Sequence, residues 1–207
     1  EQVQQESAQA TVVLDNQQQV HCRLLIGADG QNSLVREQLR LKSEVTDYGQ
    51  YGCIGIVDLE QPLNGWAYER FTENGPIALL PMQGNQASLV WSFTEKQLAE
   101  AEQWTDAEFL KRCQKAFGYR AGRFKAISPR VFYPLILRRA KRSTHHRSVI
   151  IGNASHALHP IAGQGFNLGL RDVEQLCESL AKATDPGAFE HLNDYEQHRE
   201  RDYESII

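Results

Sequence analysis

The chain has 207 residues, 41% of them hydrophobic and 23% charged, with a formal net charge of -4. That is enough material for one large or two small domains with a real core, and the balance of an ordinary globular protein excludes wholesale disorder. Lys and Arg scattered through a slightly acidic chain argue against nucleic acid as a partner, no run approaches the roughly 18 apolar residues of a membrane span, and the polar stretch Glu1 to Ala10 does not read as a signal peptide.

In chain order, Ala10 to Leu14 and Val20 to Ile26 read as strands rich in branched residues, joined into a hairpin by the polar turn Asp15-Asn16-Gln17. The second strand runs into Gly27-Ala28-Asp29-Gly30, and Ser33 to Leu39 reads as a short helix. From Tyr48 the pattern changes. Gly52 to Leu59, Gly65 to Phe71, Ile77 to Met82 and Ala87 to Phe93 are short strands between Gly, Pro and Asn turns, the spacing of an antiparallel sheet. Thr94 and Thr105 read as N-caps, and Thr105 with Glu108 has capping-box spacing ahead of a helix that buries Phe109, Leu110, Cys113 and Phe117 and stops near Gly118. Ile127 to Leu137 returns as a strand broken at Pro134, basic residues come next, and Ser148 to Gly152 is a last buried strand. A helix beginning near Gly165 carries Phe166, Leu170, Val173, Cys177 and Leu180 on one face. A final helix places Phe189, Leu192, Tyr195, His198 or Arg199, Tyr203 and Ile206 at helical spacing. The chain starts without Met and closes inside this helical pattern with no stop signal, so it is expected to be a piece of something longer.

The four cysteines (Cys22, Cys53, Cys113, Cys177) lie far apart and read as reduced thiols rather than a disulfide framework or a zinc site. His156 and His159, three apart, lack a third ligand and read as structural or loop histidines, not a metal pair. His145 and His146 read as solvated, and the basic run Arg138, Arg139, Lys141, Arg142 and Arg147 as a salt-bridged face.

Chemistry is concentrated between Val149 and Asp172. An apolar strand ends in Gly152-Asn153, then comes a loop containing Pro160, and Gly163 and Gly165 precede a helix. Glycines before a helix let another group approach bare backbone, and the unpaired N–H groups and dipole favour negative charge there. This suits a phosphate, a carboxylate or the electron-rich edge of a ring. Asn153 can donate to and accept from the hydroxyls of a sugar-like chain. The spacing Gly163-x-Gly165-x-x-x-Gly169 is not the dinucleotide fingerprint, which is found nowhere in these residues. On these residues alone two classes stay open: a redox enzyme, or a non-catalytic module binding an anion or a partner at the helix start.

Leu25-Ile26-Gly27-Ala28-Asp29-Gly30, Gly152-Asn153-Ala154-Ser155-His156 with Pro160, Gly163-Gln164-Gly165-Phe166-Asn167-Leu168-Gly169 and Asp172 occur in the right order. Together they resemble the flavin-dependent aromatic hydroxylases of the p-hydroxybenzoate hydroxylase fold. Tyr68 to Thr72, Gly75 to Met82, Ser88 to Trp91 and the Tyr195, Arg199, Asp202 helix resemble the ubiquinone-biosynthesis branch, the 2-octaprenyl-6-methoxyphenol hydroxylases in particular. The resemblance implies a mixed α/β and α+β architecture: a partial FAD-binding domain from residues 1–43 and 146–207, with an inserted antiparallel-sheet substrate domain at 44–145.

The resemblance also assigns roles. Asp29 and Gly30 match the motif that places the flavin pyrophosphate and the nicotinamide. Gly152 and Asn153 match a Gly-Asp motif whose acid bonds the ribityl chain; the amide here keeps the hydrogen bonding and loses the charge. Pro160, Gly163, Gln164, Gly165, Phe166 and Asn167 match the stretch along the isoalloxazine ring. Such a site implies FAD as cofactor, reduction by NAD(P)H, reaction with O2 to a flavin hydroperoxide and hydroxylation of a prenylated phenol, with halogenases and other aromatic hydroxylases as alternatives on the same fold. Phe71, Leu79, Pro81 and Trp91 are the candidate substrate lining. A cytoplasmic location is expected, and the resemblance is compatible with peripheral association at the inner membrane or with a ubiquinone-biosynthesis complex. The Rossmann fingerprint lies outside these residues, so the chain alone is expected to bind little flavin, to be inactive and to self-associate through an uncovered sheet edge or apolar face.

Overall fold

The computed structural model describes residues 2–73, 75–158 and 164–206. It begins with strands β1 (Gln2–Gln5), β2 (Ala10–Val13), β3 (Gln19–Cys22) and β4 (Leu25–Gly27), helix α1 (Leu34–Gln38) and the long strand β5 (Ser43–Leu59). Strands β6 (Tyr68–Thr72), β7 (Gly75–Pro81) and β8 (Gln86–Thr94) come next, then helices α2 (Glu95–Ala101) and α3 (Asp106–Phe117). Strands β9 (Phe124–Ile127), β10 (Val131–Ala140), β11 (Thr144–His145), β12 (Ser148–Ile150) and β13 (His156–Ala157) lead to helices α4 (Gln164–Leu180) and α5 (Phe189–Ile206). Two compact units result: Glu1–Thr46 with Leu137–Ile207, and Asp47–Ile136. The second boundary lies earlier than the expected 145, because Arg138 and Arg139 at the end of β10 pair with Ala157 and His156 of β13.

In the first unit, β1, β2 and β3 form an antiparallel sheet in that order. The single strand expected over Val20 to Ile26 is instead two strands in different sheets. At the break the Arg23 carbonyl leaves the ladder to accept from Arg147 Nη1 at 3.1 Å, and Leu24 turns in to pack beside Val149, Leu176, Leu192 and Tyr195. β4 then joins a second sheet of order β11-β12-β4, pairing in parallel with β12. All three residues of β12 are buried.

Helix α4 turns most of its apolar stripe outward. Phe166, Leu170 and Val173 are 74%, 52% and 45% exposed and Cys177 is exposed, while Leu168, Asp172 and Leu176 are buried. The partner of the inward face is α5, whose Leu192, Tyr195, Arg199 and Tyr203 are buried at helical spacing. The face against α5 holds a carboxylate opposite an arginine, so hydrophobic periodicity alone misassigns it.

The second unit is an antiparallel sheet in which β5, β8, β7 and β6 are successive neighbours, with β9 paired to the end of β5. Strand β10 runs on through the exposed Pro134, and the break expected there falls instead between Ile127 and Val131. Alternation splits the sheet's side chains. Cys53, Val57, Leu59, Ile77, Leu79, Ala87, Leu89, Trp91 and Phe93 are buried in a core with Phe109, Cys113 and Phe117 of α3. The other face carries Ile54, Val90 and Ala78 in one cross-strand row and Ile56, Ser88 and Leu80 in the next. Both helices start on full capping boxes, Thr94 with Gln97 and Thr105 with Glu108.

Candidate functional site

The register of β4 and β12 places Gly27 beside Ile150, and the Ile151 N–H donates to the Gly27 carbonyl at 2.9 Å. The two parallel strands therefore release their loops at the same end, the carboxyl edge where open α/β sheets hold ligands. From β4 the chain passes through Ala28-Asp29-Gly30. From β12 it enters a single 3-10 turn, Gly152–Ala154. Gly30 and Gly152 have φ of +85° and +57°, and a Cβ on either would meet nothing within 4 Å, so bare backbone faces open space. Helix α4 closes on this turn: a Cβ on Gly169 would lie 3.5 Å from the Gly152 Cα.

Asp29 is exposed, and its Oδ2 accepts from the Val35 N–H at 3.1 Å. With Ser33, whose Oγ accepts from the Arg36 N–H at 2.9 Å, it ties off the start of α1. Partial burial pushes its pKa up, but hydrogen bonds from the Ser33 hydroxyl and nearby amides outweigh this and leave it lowered, so the group is a carboxylate at neutral pH. Asn153 and Asn167 are exposed. Among the described residues no side chain accepts from the first-turn amides of Gly165, Phe166 and Asn167, and these keep their capacity for an anion or an electron-rich ring. Pro160 and Gly163 lie outside the described residues, and Gln164 is the first residue of α4.

Behind the turn sits a group whose partners the sequence did not reveal. Asp172, with no exposed surface, accepts four hydrogen bonds. Its Oδ2 takes the Gly152 N–H at 2.7 Å and lies 2.7 Å from His156 Nε2; its Oδ1 takes Arg199 Nε and the Tyr203 hydroxyl, each at 2.8 Å. Burial alone would raise its pKa. The His156 imidazole, the Gly152 amide and the Tyr203 hydroxyl reverse that and hold the carboxyl below its ordinary value. Arg199 also pairs with Asp202, which Arg171 meets at 3.0 Å from the surface. Arg199 and Asp202 were singled out by the family resemblance, but nothing in the sequence tied them to a residue on another helix. His156 is a fully buried partner of Asp172, and among the described residues no cluster of three His, Cys, Asp or Glu could hold a metal.

The expected substrate lining does not converge. Leu79 is sealed in the core with no exposed surface to offer a ligand, and Pro81 is exposed at the end of β7. Phe71 and Trp91 line a cavity of about 490 Å³ together with Phe93, Trp104 and Arg112. The physical reason is parity: residues 77, 79, 89 and 91 point to the helix-covered side, and the apolar residues of the open side occupy alternate positions.

The sequence matches the family model described as an FAD binding domain over residues 1–207. The chain belongs to the FAD binding domain family. The chain is 38% identical over 196 residues to "Ubiquinone hydroxylase UbiL" of Rhodospirillum rubrum, an alignment covering 93% of the chain and 46% of that protein. It is 30% identical over 223 residues to human "Ubiquinone biosynthesis monooxygenase COQ6, mitochondrial", covering 89% of the chain and 48% of that protein. The chain thus spans about half the length of the curated relatives it matches. Among solved structures it resembles pqsL, "a probable FAD-dependent monooxygenase from Pseudomonas aeruginosa", with 25% identity and a TM-score of 0.77 over all of this chain and 60% of the other. Two open glycine turns, exposed amides at Asn153 and Asn167 and the first-turn amides of α4 are donors suited to the sugar, phosphate and ring of FAD.

Proposed function

We propose that this chain forms part of the flavin site of a monooxygenase that hydroxylates a polyprenylated phenol in ubiquinone biosynthesis, with NAD(P)H as reductant and O2 as co-substrate. The observation that supports it is the meeting of the two open glycine turns and the start of α4 at the carboxyl edge of β4 and β12, in a chain related to UbiL and COQ6. Bound FAD supplies the redox chemistry and the activation of oxygen, and the protein orients it.

Asp29 and Gly30 are placed to border the pyrophosphate, with the carboxylate keeping the loop shaped by capping α1. Gly152 offers close backbone approach, and Asn153 offers an amide to the ribityl hydroxyls. Gln164, Gly165, Phe166 and Asn167 border the ring, where first-turn amides favour electron density, and the family resemblance assigns Pro160 and Gly163, outside the described residues, to the same stretch. For the phenol, the open sheet face is the better apolar wall: Ile54, Ile56 and Leu80 are 40%, 36% and 47% exposed there, beside Val90. Among the described residues no helix is long and apolar enough to cross a bilayer; peripheral membrane or complex association and self-association of the chain belong to this proposal.

The test uses the natural full-length protein. Purified with FAD, it is expected to show stoichiometric flavin absorption and to consume NAD(P)H and O2 with formation of a hydroxylated polyprenyl phenol. A protein that takes up no flavin, or a flavoprotein that hydroxylates no such phenol, contradicts the corresponding half of the proposal.

A further inference from the structure

We propose that Asp172 is a positioning residue of the flavin site: its buried carboxylate, acting through the Gly152 amide, fixes the turn that presents Asn153, and α5 takes part in the site by holding that carboxylate. The inference rests on the proposed flavin site and adds to it a residue on each of two helices that touch no cofactor.

Gly152 adopts φ of +57° with open space around it, so the turn has no packing of its own on that side to hold its direction. At its Gly152 end the N–H donates to Asp172 Oδ2 at 2.7 Å, an ionised acceptor away from water, while Arg36 Nη1 and the Ala140 N–H hold the other end through the carbonyls of Ala154 and Ser155, each at 2.8 Å. The same oxygen is shared with His156, four residues beyond Gly152, so the carboxylate grips the turn at both ends. The other oxygen belongs to α5, through Arg199 Nε and the Tyr203 hydroxyl. With both oxygens saturated by donors from opposite sides, the carboxylate has one position available to it, and the loop after β12 inherits that position. Asn153, next in the chain, is exposed and has no partner among the described residues that would direct it otherwise.

Three variants of the full-length protein separate positioning from bulk stability. D172A removes the acceptor from Gly152. Y203F removes one donor on the α5 side and leaves the Gly152 bond in place. The double variant D172A/R199M takes out carboxylate and guanidinium together, so that no buried charge is left unpaired if D172A alone does not fold. Each is measured for its FAD dissociation constant by flavin fluorescence quenching, for the visible circular dichroism of the bound flavin, and for the unfolding midpoint of the apoprotein. D172A, or the double variant in its place, is expected to bind FAD about tenfold or more weakly with an altered flavin dichroism, the size of effect seen when an outer-shell support is removed. Y203F is expected to lower the unfolding midpoint while keeping affinity and dichroism close to the parent. Affinity that simply tracks stability across the series, or D172A and the double variant binding FAD as the parent does with an unchanged spectrum, overturns the inference. A parent protein that itself binds no FAD would instead strike the proposed function.

Discussion

At the scale of single residues, the site is organised around a carboxylate that has been taken out of water and given four donors. Its pKa in the folded protein is lowered below the ordinary 3.8, so the pair of states sets a sign. The stability it contributes is fully present above the unfolded value and is lost as pH falls through the lower folded one. Unfolding free energy measured between pH 6 and the acid limit, roughly pH 3, is therefore predicted to fall less steeply in D172N than in the parent. A D172N slope equal to the parent's would mean that folding leaves the Asp172 pKa unshifted. Gly30, Gly152 and Asn153, at the open turns, were singled out in the sequence by their match to the motifs of the flavin-dependent hydroxylases. Asp172 was not legible as a hub. Its partners Gly152, His156, Arg199 and Tyr203 come from a turn, a short strand and another helix, and a lone acid on a helix is most simply solvated.

At the scale of elements, the best-read features are those whose physics is local. Thr94 and Thr105 cap α2 and α3, with the reciprocal bonds from Gln97 and Glu108 that a capping box requires. Thr105→Ala is predicted to cost about 1 kcal/mol in urea unfolding, because it exposes orphan amides at the start of the helix that carries Phe109, Cys113 and Phe117 into the core. A change indistinguishable from zero would show that the cap is redundant. Features decided by partners far along the chain were read less well. The 17 residues of β5 begin with a polar half that alternation does not mark, and the split between β3 and β4 depends on Arg147 drawing the Arg23 carbonyl away. Helix α4 is the clearest case. Its apolar stripe from Phe166 to Cys177 is real, but a stripe does not say what lies opposite it, and the buried face is the one that carries Asp172 toward Arg199. The same ambiguity bears on the expected substrate lining, since Leu79 on β7 is buried in the core while its neighbour Leu80 is exposed on the other face.

At the scale of the whole molecule, the chain is two compact units, one built on the parallel pair β4 and β12 and the other on the antiparallel sheet around β5, β7 and β8. The elements proposed to hold the flavin all belong to the first: the loop after β4, the turn after β12 and the start of α4 are joined by the Ile151–Gly27 bond, the approach of Gly169 to Gly152, and the Gly152–Asp172 bond. The chain spans about half the length of its curated relatives, and the fold is shared with a probable FAD-dependent monooxygenase along its whole length. Amide hydrogen exchange of the natural full-length protein, with and without FAD, tests this arrangement most directly. Added FAD is predicted to slow exchange at the amides of Asp29 and Gly30, Gly152 to Ser155 and Gly165 to Leu168 together, and to leave Ala87 to Phe93 in the core strand β8 unchanged. Protection confined to other segments, with those three stretches exchanging as fast as before, would contradict the placement of the flavin.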